Sequence, residues 1–172
     1  MYDFGRVFPA CNTLKRVVSL ILPGLKLCGT LSPSLGALSF LETLILSGNV
    51  FTGRIPPELG QLKALRVLDL SFTDLVGSIP KLMSNCTRLL WIDLSGNSLT
   101  GPIPTEFGRL LQLEHVNFAM SGISGRIPEE LGLLHKLETL DLSSNCYLEG
   151  TIPPALGNCS SLKVLCLDNI SL

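Results

Sequence analysis

The sequence predicts an α/β repeat solenoid of about seven 24-residue coils, with a parallel sheet on its concave side and short 3-10 or helical turns on its convex side. Three observations carry this. Four units stand in register without a gap: LETLILSGNVFTGRIPPELGQLKA from Leu41, LRVLDLSFTDLVGSIPKLMSNCTR from Leu65, LLWIDLSGNSLTGPIPTEFGRLLQ from Leu89 and LEHVNFAMSGISGRIPEELGLLHK from Leu113. Each opens on an LxxLxL-like pattern, whose period-two alternation is that of a short strand with one buried face. Glycine and proline recur at fixed offsets, as turns repeated once per coil require.

In chain order, residues 1–16 precede the repeats and read as a partial N-terminal cap, and 17–172 read as one solenoid without linker or charge run. A degenerate first coil begins at Val17. The in-register coils begin at Leu41, Leu65, Leu89 and Leu113, a sixth with one extra residue at Leu137, and an incomplete seventh at Leu162. Counting places from the start of each coil, apolar residues fall at places 1, 4, 6, 11, 15, 19 and 22; in the fourth coil these are Leu89, Ile92, Leu94, Leu99, Ile103, Phe107 and Leu110, all expected to point inward. Place 9 is Asn49, Asn97 and Asn145 in three coils and Thr73 or Ser121 in two. An amide there supplies two donors and an acceptor to the turn leaving the strand, and the hydroxyls are expected to supply part of the same ladder. Glycine at place 13, as in Gly53 and Gly77, fits a turn of positive φ, and proline at place 16, as in Pro56 and Pro104, suits the end of an extended piece. Glycine at place 20, as in Gly60 and Gly132, is expected to end a short helical turn, Ser84 being the exception.

Composition narrows the function. The net charge is −1 and only 16% of residues are charged, so no phosphate-tracking surface is expected and nucleic acid is excluded as a partner. No apolar run approaches the roughly 18 residues of a membrane span. Six cysteines include no CxxC pair and no histidine at ligand spacing, so no metal or other cofactor is expected. Cys86 and Cys159 take place 22, where a free thiol acts as a small buried hydrophobe. His115 and His135 fall on opposite faces, and no nucleophile elbow, phosphate loop or HExxH occurs, so the chain is not expected to be an enzyme. Asp69, Asp93 and Asp141 share place 5 and are expected to remain solvated strand residues with no catalytic part.

The unit LxxLxLxxNxLxGxIPxxLGxL resembles the plant-specific class of leucine-rich repeat, marked by its Gly-x-Ile-Pro segment, and the likeness covers roughly residues 17–172. The resemblance implies a leucine-rich repeat superhelix with a second short sheet at the Gly-x-Ile-Pro stretch. It also implies a protein or peptide recognition module, part of a receptor-like kinase or receptor-like protein ectodomain in signalling or defence, exposed at the plasma membrane or cell wall. The partner so implied is a protein or peptide ligand, with a co-receptor. A stand-alone inhibitor like the polygalacturonase-inhibiting proteins, or an intracellular scaffold, is the competing expectation. The segment MYDFGRVFPACNTLKRVVSL resembles the tail of the family's N-terminal cap, with Cys11 but neither a second cysteine nor a tryptophan; it lacks the basic start and apolar stretch of a signal peptide, and both ends of the chain are expected to be truncated. The C-terminal edge is expected to invite end-to-end self-association. Candidate N-glycosylation acceptors are Asn85, Asn158 and Asn169.

Places 3, 5, 7, 8 and 10 are expected to project from the concave sheet, where they specify a ligand without serving the core. The candidate binding residues are Val67, Asp69, Phe72, Trp91, Asp93, His115, Asn117, Met120, Thr139 and Asp141. Trp91, the only tryptophan, lies between Val67 and His115 on neighbouring rungs, with Phe72 and Met120 in the flanking coils; apolar anchors beside polar groups have the composition of an interface centre.

Overall fold

A computed structural model describes residues 16–171; the cap segment with Cys11, and Leu172, lie outside the described residues. Seven three-residue strands, Ser19–Ile21, Thr43–Ile45, Val67–Asp69, Trp91–Asp93, His115–Asn117, Thr139–Asp141 and Val164–Cys166, pair in that order as one parallel sheet. The register advances by one whole coil at every rung: Val67 faces Trp91, and Trp91 faces His115. Equal repeat length therefore places equal sequence positions side by side, and each place becomes a column running the length of the solenoid.

A second set of short parallel strands follows on the adjoining side. Cys28–Thr30, Val50–Arg54, Asp74–Gly77 and Ser98–Leu99 form one sheet, and Ser124–Gly125 pairs with Tyr147–Leu148. Among the described residues the convex side carries six 3-10 helices: Pro33–Ala37, Pro57–Gln61, Lys81–Asn85, Thr105–Arg109, Glu129–Leu133 and Pro154–Asn158. Pro56, Pro80, Pro104, Pro128 and Pro153 cap five of them in extended conformation, at ring-fixed φ of −60 to −67°, where the missing N–H has no partner to lose.

The core is one continuous strip inside the coils. All seven inward residues of the fourth coil are at most 2% exposed, and Phe107 and Phe118 meet there with ring centroids 6.3 Å apart. Cys86 and Cys159 are buried free thiols whose Sγ–H groups donate to the carbonyls of Leu59 and Leu131 in preceding coils, at 3.3 and 3.2 Å. Burial pushes the Cys86 thiol up to about 11 and raises that of Cys159. Iodoacetamide on the native protein near pH 8 is therefore expected to label the exposed Cys28 and Cys146 and to leave Cys86 and Cys159 unlabelled until denaturant is added, as peptide mass mapping would show.

One sequence expectation changes. The place-20 glycines do not end the helical turn; each is the fourth residue of its five-residue 3-10 helix, and the column is set by contact with the next coil. A Cβ on Gly60 would lie 2.2 Å from the Leu82 carbonyl oxygen, and one on Gly132 2.3 Å from that of Ala155. The place-9 hydroxyls supply part of the asparagine ladder, as expected: each bonds the place-6 carbonyl of its own coil and not the one in the preceding coil. Asn97 Nδ2 donates to Leu70 O of the preceding coil and to Leu94 O and Ser95 O of its own, at 2.9, 2.9 and 3.2 Å. Thr73 Oγ1 reaches Leu70 O of its own coil and Asn97 Oδ1 of the next, and Ser121 Oγ donates to Phe118 O of its own coil. A hydroxyl is too short to reach the carbonyl of the preceding coil, so Thr73 and Ser121 supply only the part of the ladder within their own coil, and Thr73 also meets Asn97 of the next.

Candidate ligand-binding face

On the concave sheet the period of two sends place 4 inward and places 3 and 5 outward. Leu68, Ile92, Val116 and Leu140 are at most 2% exposed, while Val67, Asp69, Trp91, Asp93, His115, Asn117, Thr139 and Asp141 are half-buried on the outer face. Trp91 and His115 pack ring against ring, centroids 4.7 Å apart at 47°, as register partners on adjacent strands. Phe72 and Met120 stand beside this face on the turns that leave the strands, 59% and 50% exposed. All ten candidate residues thus lie along one side of the solenoid, in columns at places 3, 5 and 8.

The place-5 row departs from the expectation of free, solvated carboxylates. Asp69 Oδ1 accepts the backbone N–H and the hydroxyl of Ser71, at 3.0 and 2.7 Å. Asp93 and Asp141 make the same pair of bonds with Ser95 and Ser143, and Asn117 Oδ1 accepts Ala119 N–H. The aspartate of LDLS is a local clamp that turns the chain out of the strand, and it draws in the serine two residues on. Ser71 and Ser95 are consequently buried, so place 7 presents no side chain to a ligand in those coils; Ile45, at place 5 of the second coil, is also packed away at 4% exposure.

Burial pushes the Asp93 carboxyl above its ordinary value; the bonds from Ser95 oppose this, and the neighbouring Asp69 charge adds to it. With the folded-state pKa raised, the ionised carboxylate disfavours folding at neutral pH, and that penalty fades as pH falls through the raised pKa toward the unfolded value. Asp93→Asn keeps an acceptor for Ser95 and is expected to be at least as stable as the parent at pH 7, with the difference shrinking toward about pH 4. Parallel thermal melts over that range check it.

Backbone geometry at place 8 is invisible in the hydrophobic pattern. Phe72 and Met120 hold φ of 50° and 51°, the region that glycine occupies at the same place as Gly24, Gly48 and Gly96. The column of glycines is the signal that would have revealed it. Phe72 lies over Gly96 of the next coil so closely that a Cβ there would come within 2.6 Å of its ring. Two bulky apolar side chains are thus held, exposed, in a conformation that disfavours them.

Among the described residues no three His, Cys, Asp or Glu side chains gather to hold a metal ion, and no helix is long and apolar enough to cross a membrane.

The profile of the Leucine Rich Repeat family matches residues 40–62, 64–86, 88–110 and 136–159. The chain belongs to the leucine-rich repeat family. Among curated proteins none matches the chain. Among solved structures, this leucine-rich repeat protein is similar to the ectodomain of the Arabidopsis thaliana membrane receptor kinase GASSHO1/SCHENGEN3 in complex with CASPARIAN STRIP INTEGRITY FACTOR 2. They share 33% identity with a TM-score of 0.86, over 99% of this chain and 23% of that one. It is similar to the Arabidopsis receptor kinase HAESA in complex with the peptide hormone IDA and the co-receptor SERK1, at 36% identity and a TM-score of 0.84, over 93% and 27% of the two chains. A plant ice-binding protein also shares the fold, at 29% identity and a TM-score of 0.79, over 90% and 49%. The chain spans about a quarter of the length of these receptor chains. Its repeats are of the plant receptor-ectodomain type, and that fold is a binding module.

Proposed function

We propose that this leucine-rich repeat chain is a peptide or protein recognition unit of a plant receptor-like ectodomain, acting in signalling at the extracellular face of the plasma membrane or cell wall. The observation that carries the reading is the Trp91 and His115 pair on the outer face of the parallel sheet, bordered by the exposed Phe72 and Met120. Apolar anchors beside half-buried hydrogen-bonding groups are the make-up of an interface centre, and solenoids bind through such extended concave surfaces. The receptor ectodomains it resembles, solved with a peptide hormone or a factor bound, support a ligand of that kind. A co-receptor is the second partner that the HAESA complex supports. Asn158 and Asn169 are exposed and Asn85 half-buried. Asn85 and Asn158 end 3-10 helices on the convex side, where a glycan would leave the concave face clear.

Selection of binders from a random dodecapeptide display library, followed by titration of the selected peptides, tests the reading. Trp91→Ala is expected to weaken binding about tenfold or more, the scale of a central anchor, while the melting temperature moves by no more than about 2 °C. Peptides whose affinity ignores Trp91, or a variant that melts far below the parent, would remove the concave face from the proposal.

A further inference from the structure

The near-neutral net charge hides an asymmetry between the faces. In the four coils from Leu65 to Ser161, places 3 to 10 carry the carboxylates Asp69, Asp74, Asp93 and Asp141 and neither lysine nor arginine. The cations of the same coils, Arg66, Lys81, Arg88, Arg109, Arg126 and Lys136, all fall at place 2 or at places 14 to 24. Glu106, Glu114, Glu129, Glu130, Glu138 and Glu149 balance those cations outside places 3 to 10, so the recognition face is anionic while the rest of these coils is close to neutral. At its middle, Asp69 and Asp93 are register partners on adjacent strands, roughly 4.8 Å apart. Asp93 Oδ2 takes Asn117 Nδ2 at 3.1 Å, and no described donor reaches Asp69 Oδ2. Like charges on neighbouring rungs repel, and a cation laid over both relieves them.

Apolar groups border the same pair. Trp91 stands at place 3 on one side, and Phe72 and Met120 stand at place 8 on the other, two coils and so about 10 Å apart, the reach of three extended residues. Resting on the reading of this face as a recognition surface, we infer that its occupant is an extended peptide segment that sets an arginine side chain over Asp69 and Asp93, with apolar residues three apart seated against Phe72 and Met120. Arginine suits the place better than lysine because its planar fork serves two carboxylates at once.

The test uses the peptides selected from the dodecapeptide library on the intact chain, each paired with a twin carrying citrulline, the neutral isostere of arginine. Selected sequences are expected to be enriched in arginine beside apolar residues. Citrulline is expected to cost about tenfold in affinity on the parent protein and no more than about twofold on the Asp69→Asn, Asp93→Asn double variant. Asparagine is the native residue at this place in the fifth coil, where Asn117 makes the same turn bond, so the variant keeps the local clamp; a melt confirms it, and Asp69→Asn alone is the second variant if the pair is unstable. Peptides that need Trp91 but show no arginine enrichment, or that keep the full citrulline penalty on the asparagine variants, overturn the inference and leave the recognition reading standing. Peptides indifferent to Trp91, or no selected peptides at all, overturn both.

Discussion

Gly60→Ala is expected to destabilise the protein by about 2–4 kcal/mol, and Gly157→Ala, the same change at the same place of a different coil, by less than about 0.5 kcal/mol. Neither glycine has a positive φ, so on backbone grounds alanine would be neutral or mildly favourable at both. The difference lies in what stands opposite. A Cβ on Gly60 would lie 2.2 Å from Leu82 O and 2.7 Å from Leu82 C, backbone atoms of the next coil's 3-10 helix that have no rotamer with which to retreat, whereas Gly157 lies in the last 3-10 helix of the described residues, with no following helix stacked on it, and no atom comes within 4 Å. The two convex helices would have to separate, loosening the core strip beneath them. Ser84 shows that a side chain is accommodated in this column where the coil is built around it, and it is itself buried. Urea titrations of the two variants beside the parent decide the matter: equal midpoints for Gly60→Ala and Gly157→Ala would show that the spacing of the coils is set elsewhere.

Asn145→Ala is expected to be as damaging, at about 3–5 kcal/mol, because it strands more groups than any other single deletion on the ladder. Asn145 is wholly buried. Its Oδ1 accepts the N–H groups of Ser121, Gly122 and Ile123, at 3.1, 2.9 and 3.2 Å. Its Nδ2 lies within bonding distance of the carbonyls of Phe118, Leu142 and Ser143, at 2.7, 2.9 and 3.2 Å. Alanine leaves those donors and acceptors facing an apolar interior without water. Thr73→Ala removes a hydroxyl that serves one proton to Leu70 O or Asn97 Oδ1 and should cost only about 1 kcal/mol. Denaturant midpoints would rank the two. Amide exchange at Ser121 to Ile123 should accelerate in Asn145→Ala well before global unfolding; unchanged protection there would mean that the turn of the fifth coil does not depend on the sixth.

Much of this was legible in the chain because the repeat is local and regular. The strand Trp91–Asp93 and its six counterparts follow from LxxLxL, the buried strip from seven apolar columns, and the concave position of Val67, Trp91, His115 and Asp93 from odd places on a period-two strand. The binding face was legible as a set of columns, but its texture was not. Nothing in LDLS says that aspartate will clamp serine and bury it, since that bond forms only once the chain turns out of the strand. Nothing in SFTD says that Phe72 will sit at positive φ, unless its column is compared with Gly48 and Gly96.

What the sequence by itself determined is the period, the direction each side chain faces and the order in which coils stack, because these depend on alternation within a strand and on equal spacing between strands. What only the tertiary structure decided is every relation across the gap between coils: the Leu82 carbonyl that forbids a side chain at Gly60, the reach of Asn97 and Asn145 into the preceding turn where Thr73 and Ser121 fall short, the ring of Phe72 laid on Gly96, and the Asp69 and Asp93 pair brought side by side. Those relations are fixed by a separation of a few ångströms between backbones, and that distance is a property of the packed stack rather than of any one coil.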